Sequence, residues 1–364
     1  MMKIKHIDDV QTSTVDEHIK LIVEDKNILD PKLIDITAND FPDWYNEKLF
    51  KEGQNYYKRN MLLAEMSYIM GVISILAIPT IRQVLKCTKQ TSTPCVAFKR
   101  HLISQLHVFN TIICDPSDPY SNWYKSINII RWKHNITTKI SKRAGLEGIL
   151  QKDMALTQCA FVAYIFIVTK SFSPCNKLKE EEGFNHFWRV IGYMIGIPDR
   201  LNICRKSAME TRELCEKTIN NIFANYLNNA SPDFYHTIST VLNGIGHMDI
   251  TLNRDALLAF TYRLCNIEYK VSLGWYSWLN MKYRDLIFKL YFLPYIGPIV
   301  RIFYNFIMVL MYWSATTWPL LAWLSFGKKN SYIDLYRNYK EEELEKGINK
   351  INRERNKQDI EKKN

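Results

Sequence analysis

From Trp44 onward apolar positions recur at helical spacing: Leu49, Phe50, Tyr56, Tyr57, Met61 and Leu62 lead into Leu63 to Ile78, a stretch whose only charge is Glu65. This pattern predicts two helices, the second ending near Pro79. Residues 80 to 110 read as another helical pair, broken at Thr91-Ser92-Thr93-Pro94, where proline and hydroxyl side chains favour a turn followed by a helix start. Asp115-Pro116-Ser117-Asp118-Pro119 is a loop, and helices follow at about 120 to 142, 151 to 170, 184 to 196, 203 to 227 and 250 to 270, with Pro174, Pro198 and Pro232 in the connections. Period-two runs of β-branched residues are rare, so the core is expected to be all-α. Residues 1 to 43 are polar without a sustained helical period and read as an arm or small subdomain.

The most apolar stretch comes late. Ile302 to Phe326 holds no charged residue over 25 positions, about 37 Å as a helix against a hydrocarbon thickness of about 30 Å. Tyr304, Asn305, Tyr312, Trp313, Trp318 and Trp323 are spread along it where belts at two ends would mark a span, and Pro319 interrupts it. The preceding Leu286 to Val300 is apolar too but carries Lys289, Pro294 and Pro298. A pair of buried core helices and a membrane-inserted or interfacial hairpin both fit. Lys328 and Lys329 then open a charged tail, as expected where a chain leaves an apolar zone for headgroups. On this reading, removing everything after Val300 should release the protein from membranes and leave the upstream domain intact.

Composition excludes several classes. With 47% apolar and 13% aromatic residues, the chain of 364 residues is globular and neither disordered nor collagen-like. Its formal charge of +11 is spread along the chain without zinc-finger spacing or an RNA-recognition aromatic motif, so no nucleic-acid partner is expected and a membrane surface fits better. The eight cysteines are scattered with no C-x-x-C, which argues for reduced, mostly buried thiols. The first 30 residues lack an apolar run of signal-peptide type, so no cleaved secretory signal is expected.

Common catalytic signatures are missing: there is no G-x-x-x-x-G-K-[S/T], no H-E-x-x-H and no G-x-S-x-G. Gly192 and Gly196, four apart, read as close helix packing. None of the eight histidines is paired at i, i+4, and the Glu-x-x-His of di-metal bundles does not occur. What remains is a cofactor that needs one protein ligand. Haem is such a group, since one imidazole can hold its iron, although a lone histidine in an apolar helix is ordinarily just a core or surface histidine.

Three blocks sharpen this: Ile129-Ile130-Arg131-Trp132-Lys133-His134; Gln151-Lys152-Asp153-Met154-Ala155-Leu156-Thr157-Gln158 with Phe161; and Phe187-Trp188-Arg189-Val190-Ile191-Gly192-Tyr193-Met194-Ile195-Gly196. The ordered set resembles the family that joins bacterial latex-clearing proteins, the rubber oxygenases, with a fungal endoplasmic-reticulum-bound oxygenase. Lys48-Leu49-Phe50-Lys51-Glu52-Gly53-Gln54 and Tyr56 look like the opening of the same domain in insect-type members. The resemblance covers about residues 44 to 270. It implies a globin-like helical domain that binds haem b and acts with dioxygen on an apolar unsaturated substrate, an isoprenoid or lipid, at the endoplasmic reticulum or another internal membrane. The implied proximal ligand is His134, in its Arg-x-x-His context. Arg100 and Ser104 match the distal arginine and the hydroxyl residue one turn later, a threonine in the family, and Trp188 braces the haem helices. The resulting organisation is a polar arm at 1–43, an oxygenase-like domain at 44–275, apolar helices at 276–326 and a charged tail at 327–364.

One departure matters. Rubber-cleaving members use a glutamate base upstream of the distal arginine, and here no acidic residue lies between Glu65 and Arg100. The matching stretch Ile81-Arg82-Gln83-Val84 offers Gln83, which cannot take a proton at neutral pH. Either Glu65 reaches the site from another turn, or the reaction does without that base. A protein that keeps the fold at a membrane but has lost oxygen chemistry is the alternative.

Overall fold

The computed structural model describes residues 11–30, 35–172, 178–249 and 251–336. In chain order its helices are α1 (Val15–Glu24), α2 (Glu47–Arg59), α3 (Met61–Ala77), α4 (Pro79–Cys87), α5 (Pro94–Ile113), α6 (Asn122–Arg143), α7 (Gln151–Phe172) and α8 (Leu178–Met194). There follow α9 (Ala208–Thr218), a π-helical segment at Ile219–Phe223, α10 (Ala224–Asn228), α11 (Pro232–Ile245), α12 (Arg254–Leu264), α13 (Trp275–Phe292), α14 (Ile296–Thr317), α15 (Leu320–Phe326) and α16 (Lys328–Ser331). Among the described residues there is no strand, only an isolated bridge between Ile28 and Leu150. The fold is all-α.

A helix that is apolar on every side must be enclosed on every side. That is the situation of α3, buried along nearly its whole length, and it packs against the similarly enclosed α7 to make the centre of the core. Around this pair, α2 crosses α8, α5 lies between α6 and α11, and α12 to α14 cover the remaining side of α3. The chain turns by 90° between α2 and α3. Asn60 holds that corner: its Nδ2 donates to the Tyr56 carbonyl at 2.8 Å, and its Oδ1 accepts from the Tyr291 hydroxyl of α13 at 3.0 Å.

Most expected helices are present near their expected ends, and Thr93 with Pro94 does start α5, the Thr93 hydroxyl accepting from the Val96 amide at 3.3 Å. Two helices escape the periodicity reading. Within residues 1 to 43, α1 is set by a capping box between Thr14 and Glu17 and buries Val15, His18 and Ile22 against α7 and α9. Pro232, placed in a connection by the sequence reading, is instead the first residue of α11, where its missing N–H has no helical partner to lose. The described cysteines are all unbridged, with Cys159, Cys204, Cys215 and Cys265 buried; Cys175 and the charged tail beyond residue 336 lie outside the described residues. The described residues up to Ser331 form one compact unit.

Candidate functional site

α5 runs beside α6 and brings two stripes of polar residues into the interior. Its register is held from α2, where Gln54 Nε2 donates to the carbonyls of Thr111 and Cys114, each at 2.9 Å, satisfying the last turn of α5. One stripe is Arg100, Ser104 and His107, spaced four and three positions apart; the other is His101 and Gln105, directed toward α3.

The α6 side of this interface is unusual. A packed helix alternates between buried and exposed positions with its period of 3.6, yet residues 128 to 137 of α6 are all half-buried. Arg100 also keeps accessible surface, although burial is the main cause holding its guanidinium below the usual arginine range. Both facts fit side chains facing an enclosed space instead of bulk solvent.

His134 belongs to this space. Its Nδ1 is sealed without a hydrogen-bond partner while the residue retains accessible surface. Burial, followed by the positive charges of Lys133, Arg100 and Arg131, lowers its pKa to about 4, so the imidazole is neutral at pH 7. The same effects bring Lys133 down to about 8, with burial first and Arg100 second. Arg100 makes no hydrogen bond or ion pair with any described residue. Ser104 is half-buried on the same helix, where Thr111 bonds back to the Val108 carbonyl at 2.6 Å. Arg100 thus lies close enough to His134 and Lys133 for its charge to act on both, and Ser104 stands one turn further along α5.

Trp188 lies on α8, with its ring centroid 5.3 Å from Phe161 and 6.2 Å from Tyr57. Its block is a clamp: Gln158 Nε2 of α7 donates to the Trp188 carbonyl at 2.9 Å and to Asn202 Oδ1 at 3.0 Å, while Asn202 Nδ2 donates to the Arg189 carbonyl at 2.9 Å. Gly192 packs against Gln158 where a Cβ could not fit, as its spacing suggested, whereas Gly196 instead closes the helix at φ +99°.

Several interior residues carry no signature in the sequence. His107 is buried with both ring nitrogens unpartnered, and burial with the Lys133 charge lowers its pKa to about 3. The Tyr68 hydroxyl meets Nδ1 of His101 at 2.5 Å. Tyr68 also lines a small cavity of about 50 Å³ together with Glu65, Gln105, Phe161 and Tyr312. There Gln105 Nε2 donates to Glu65 Oε1 at 2.6 Å and the Tyr312 hydroxyl donates to Oε2 at 2.8 Å. Burial outweighs these bonds and pushes the carboxyl up to about 7. Glu65 therefore does reach the interior beside α5, while Gln83 is exposed on α4 next to Arg82, whose Nε pairs with Asp233 at 3.0 Å. The signal available in sequence was the solitary charge of Glu65 in an otherwise apolar helix.

No family model matches the chain, and no curated protein matches its sequence. Among solved structures, latex clearing protein in its closed state superposes with a TM-score of 0.52 over 75% of this chain and 76% of that one, at 13% sequence identity. That likeness establishes a shared all-α fold. It does not extend to the insect-type grouping or to the endoplasmic reticulum.

Proposed function

We propose that this protein is a haem b-dependent oxygenase that acts with dioxygen on an apolar unsaturated substrate, an isoprenoid or lipid. The observation that carries the reading is the nearness of a neutral imidazole, His134, to a guanidinium, Arg100, whose charge helps lower its pKa and which hydrogen-bonds no described residue. The fold shared with latex clearing protein supports it.

The residues present fit the cofactor. A haem group held by one imidazole supplies a redox-active iron for chemistry with dioxygen, and His134 is the ligand that its sequence context and its neutrality both favour. The positive charges of Arg100, Lys133 and Arg131 suit the carboxylate side chains of haem. Arg100 and Ser104 donate hydrogen bonds toward the same space, stabilising negative charge that develops there. Glu65, with a pKa of about 7, can hold or accept a proton on a carboxyl oxygen at neutral pH. Trp188 braces α7 and α8.

An absorbance spectrum tests this. Purified protein, reconstituted with haem, is expected to show a Soret band at one haem b per chain. His134→Ala should lose it with unchanged helicity and melting temperature, while His107→Ala keeps it. His186 is excluded as a ligand because its Nε2 already accepts from the Asn46 amide at 3.0 Å. If the wild type takes up no haem, the second reading stands, a protein of this fold without oxygen chemistry, which the exposed Gln83 at the base position favours. A variant at His107 that loses the band while His134→Ala retains it would overturn the ligand assignment.

A further inference from the structure

In water a surface helix turns its apolar stripe inward and its polar residues outward. α14 departs from this: its outward side is apolar, and its inward side adds polar anchors beside the buried Met308 and Ala315. Its inward side carries Asn305 and Tyr312: Asn305 accepts from the Met61 amide at 3.0 Å and donates to the Lys58 carbonyl at 2.9 Å, and Tyr312 donates to Glu65 at 2.8 Å. Its outward side carries Ile299, Ile302, Phe303, Phe306, Leu310 and Trp313, with Ile299 69%, Ile302 72% and Phe306 66% exposed. Among the described residues, two single helices are long and apolar enough to cross a membrane, besides the pair α2 and α3 bent by 90°: α7, two-thirds buried inside the protein, and α14, whose most apolar window is only 17% buried. Hence α7 is a core helix, and the apolar surface of α14 is uncovered.

The neighbours of α14 extend this surface. α13 packs beside it, tied by the Tyr283 and Tyr304 hydroxyls at 2.6 Å, and exposes Trp278, Leu279 and Leu286. α15 adds Leu320 and Leu324. Exposed apolar side chains clustered on three successive helices exceed what isolated surface apolar residues explain. Between Leu286 and Ile333 the charged residues are Lys289, Arg301, Lys328 and Lys329, with no Asp or Glu, and Asp285 just before them is paired with Arg263. Lysines also sit over indoles, Lys282 Nζ 5.8 Å from the Trp278 ring and Lys328 Nζ 5.5 Å from the Trp323 ring. Aromatic rings with basic groups beside an apolar stripe are the composition of a helix lying at a bilayer interface.

We infer that α13 to α15 form a docking face for an anionic lipid bilayer, with α14 lying in the headgroup boundary. A second copy of the chain is the poorer occupant, because it would bring the same positive rim against this one. The inference needs no cofactor. Joined to the proposed activity, it places Tyr312 and the Glu65 cavity directly behind the lipid-facing helix.

Vesicle flotation with the full chain, haem-loaded and haem-free, provides the test. The wild type is expected to float with phosphatidylcholine vesicles containing phosphatidylserine, and less with phosphatidylcholine alone. Phe306→Glu combined with Leu310→Glu, both on the exposed side, should lower the bound fraction about tenfold or more, with helicity and melting temperature unchanged. Lys328→Ala with Lys329→Ala should remove most of the phosphatidylserine dependence while leaving apolar binding. A wild type that remains below both vesicle types, or a glutamate variant that floats as well as wild type, overturns the inference. So does a vesicle-free dimer that the glutamate variant converts to monomer. Because flotation is read with and without haem, it can fail while the Soret band is present, and the reverse.

Discussion

A guanidinium removed from water and left without a protein partner opposes folding, because its lost hydration is not replaced. Arg100 is largely desolvated and hydrogen-bonds no described residue, a cost that a bound ligand would relieve. Arg100→Met should therefore stabilise the haem-free protein, by about 1 to 4 kcal/mol in denaturant unfolding. In the haem-loaded protein the same change should leave the Soret intensity intact and weaken azide binding about tenfold, by removing a charged donor. No gain in stability would mean that Arg100 is already satisfied. Glu65 gives a pH signature. Its carboxyl ionises near 4.5 when unfolded and near 7 when folded, so between these values the folded state holds the extra proton. Its contribution to stability is full below pH 4.5, falls as pH rises through 7 and is flat above. The stability of wild type relative to Glu65→Gln should drop by on the order of 3 kcal/mol across that window. Melting curves of both proteins at a series of pH values would show it, and parallel curves would reject it.

Single helices are placed by features of one or two residues. α2 and α8 approach so closely that a Cβ on Gly53 would collide with the Gly183 carbonyl and the Phe187 Cβ. Both sides of the contact are backbone or branch points of packed helices, so little can give way. Gly53→Ala should cost about 1 to 3 kcal/mol, and an unchanged melting temperature would show that the crossing can widen. Gln54, the next residue, ties α2 to the end of α5. The opening block of α2 thus sets the position of the helix carrying Arg100, although it supplies no group to the iron site.

At the scale of the molecule, α14 both faces outward and belongs to the folded unit. Removing the chain after Val300 would strip Asn305 from the α2–α3 corner and Tyr312 from Glu65. The expectation that such a truncation leaves an intact upstream domain is therefore revised. It should lower the melting temperature markedly, because a buried carboxyl and a backbone amide lose their partners. A truncated protein that melts like the full chain would contradict this. The exposed-face glutamate variant is the cleaner probe of lipid binding for the same reason.

The helical class, the length of α3, the break at Thr93 and Pro94, and the apolar excess of residues 286 to 326 were all determined by the sequence, because local periodicity and capping chemistry act within a few positions of the chain. α1 and α11 were hidden because a capping box and a proline at a helix start are short signals beside a weak apolar period. Arg100 and His134 could be named from sequence, whereas the nearness that lets the charge of one act on the other depends on how α5 and α6 pack. Glu65 stood out as a lone charge, but its link through Gln105 and Tyr312 spans 40 and 247 positions of chain. Whether α14 turned its apolar side in or out was likewise settled only by packing. Its composition is the same either way, and the polar anchors Asn305 and Tyr312 find their partners on α2 and α3 only once the chain is folded.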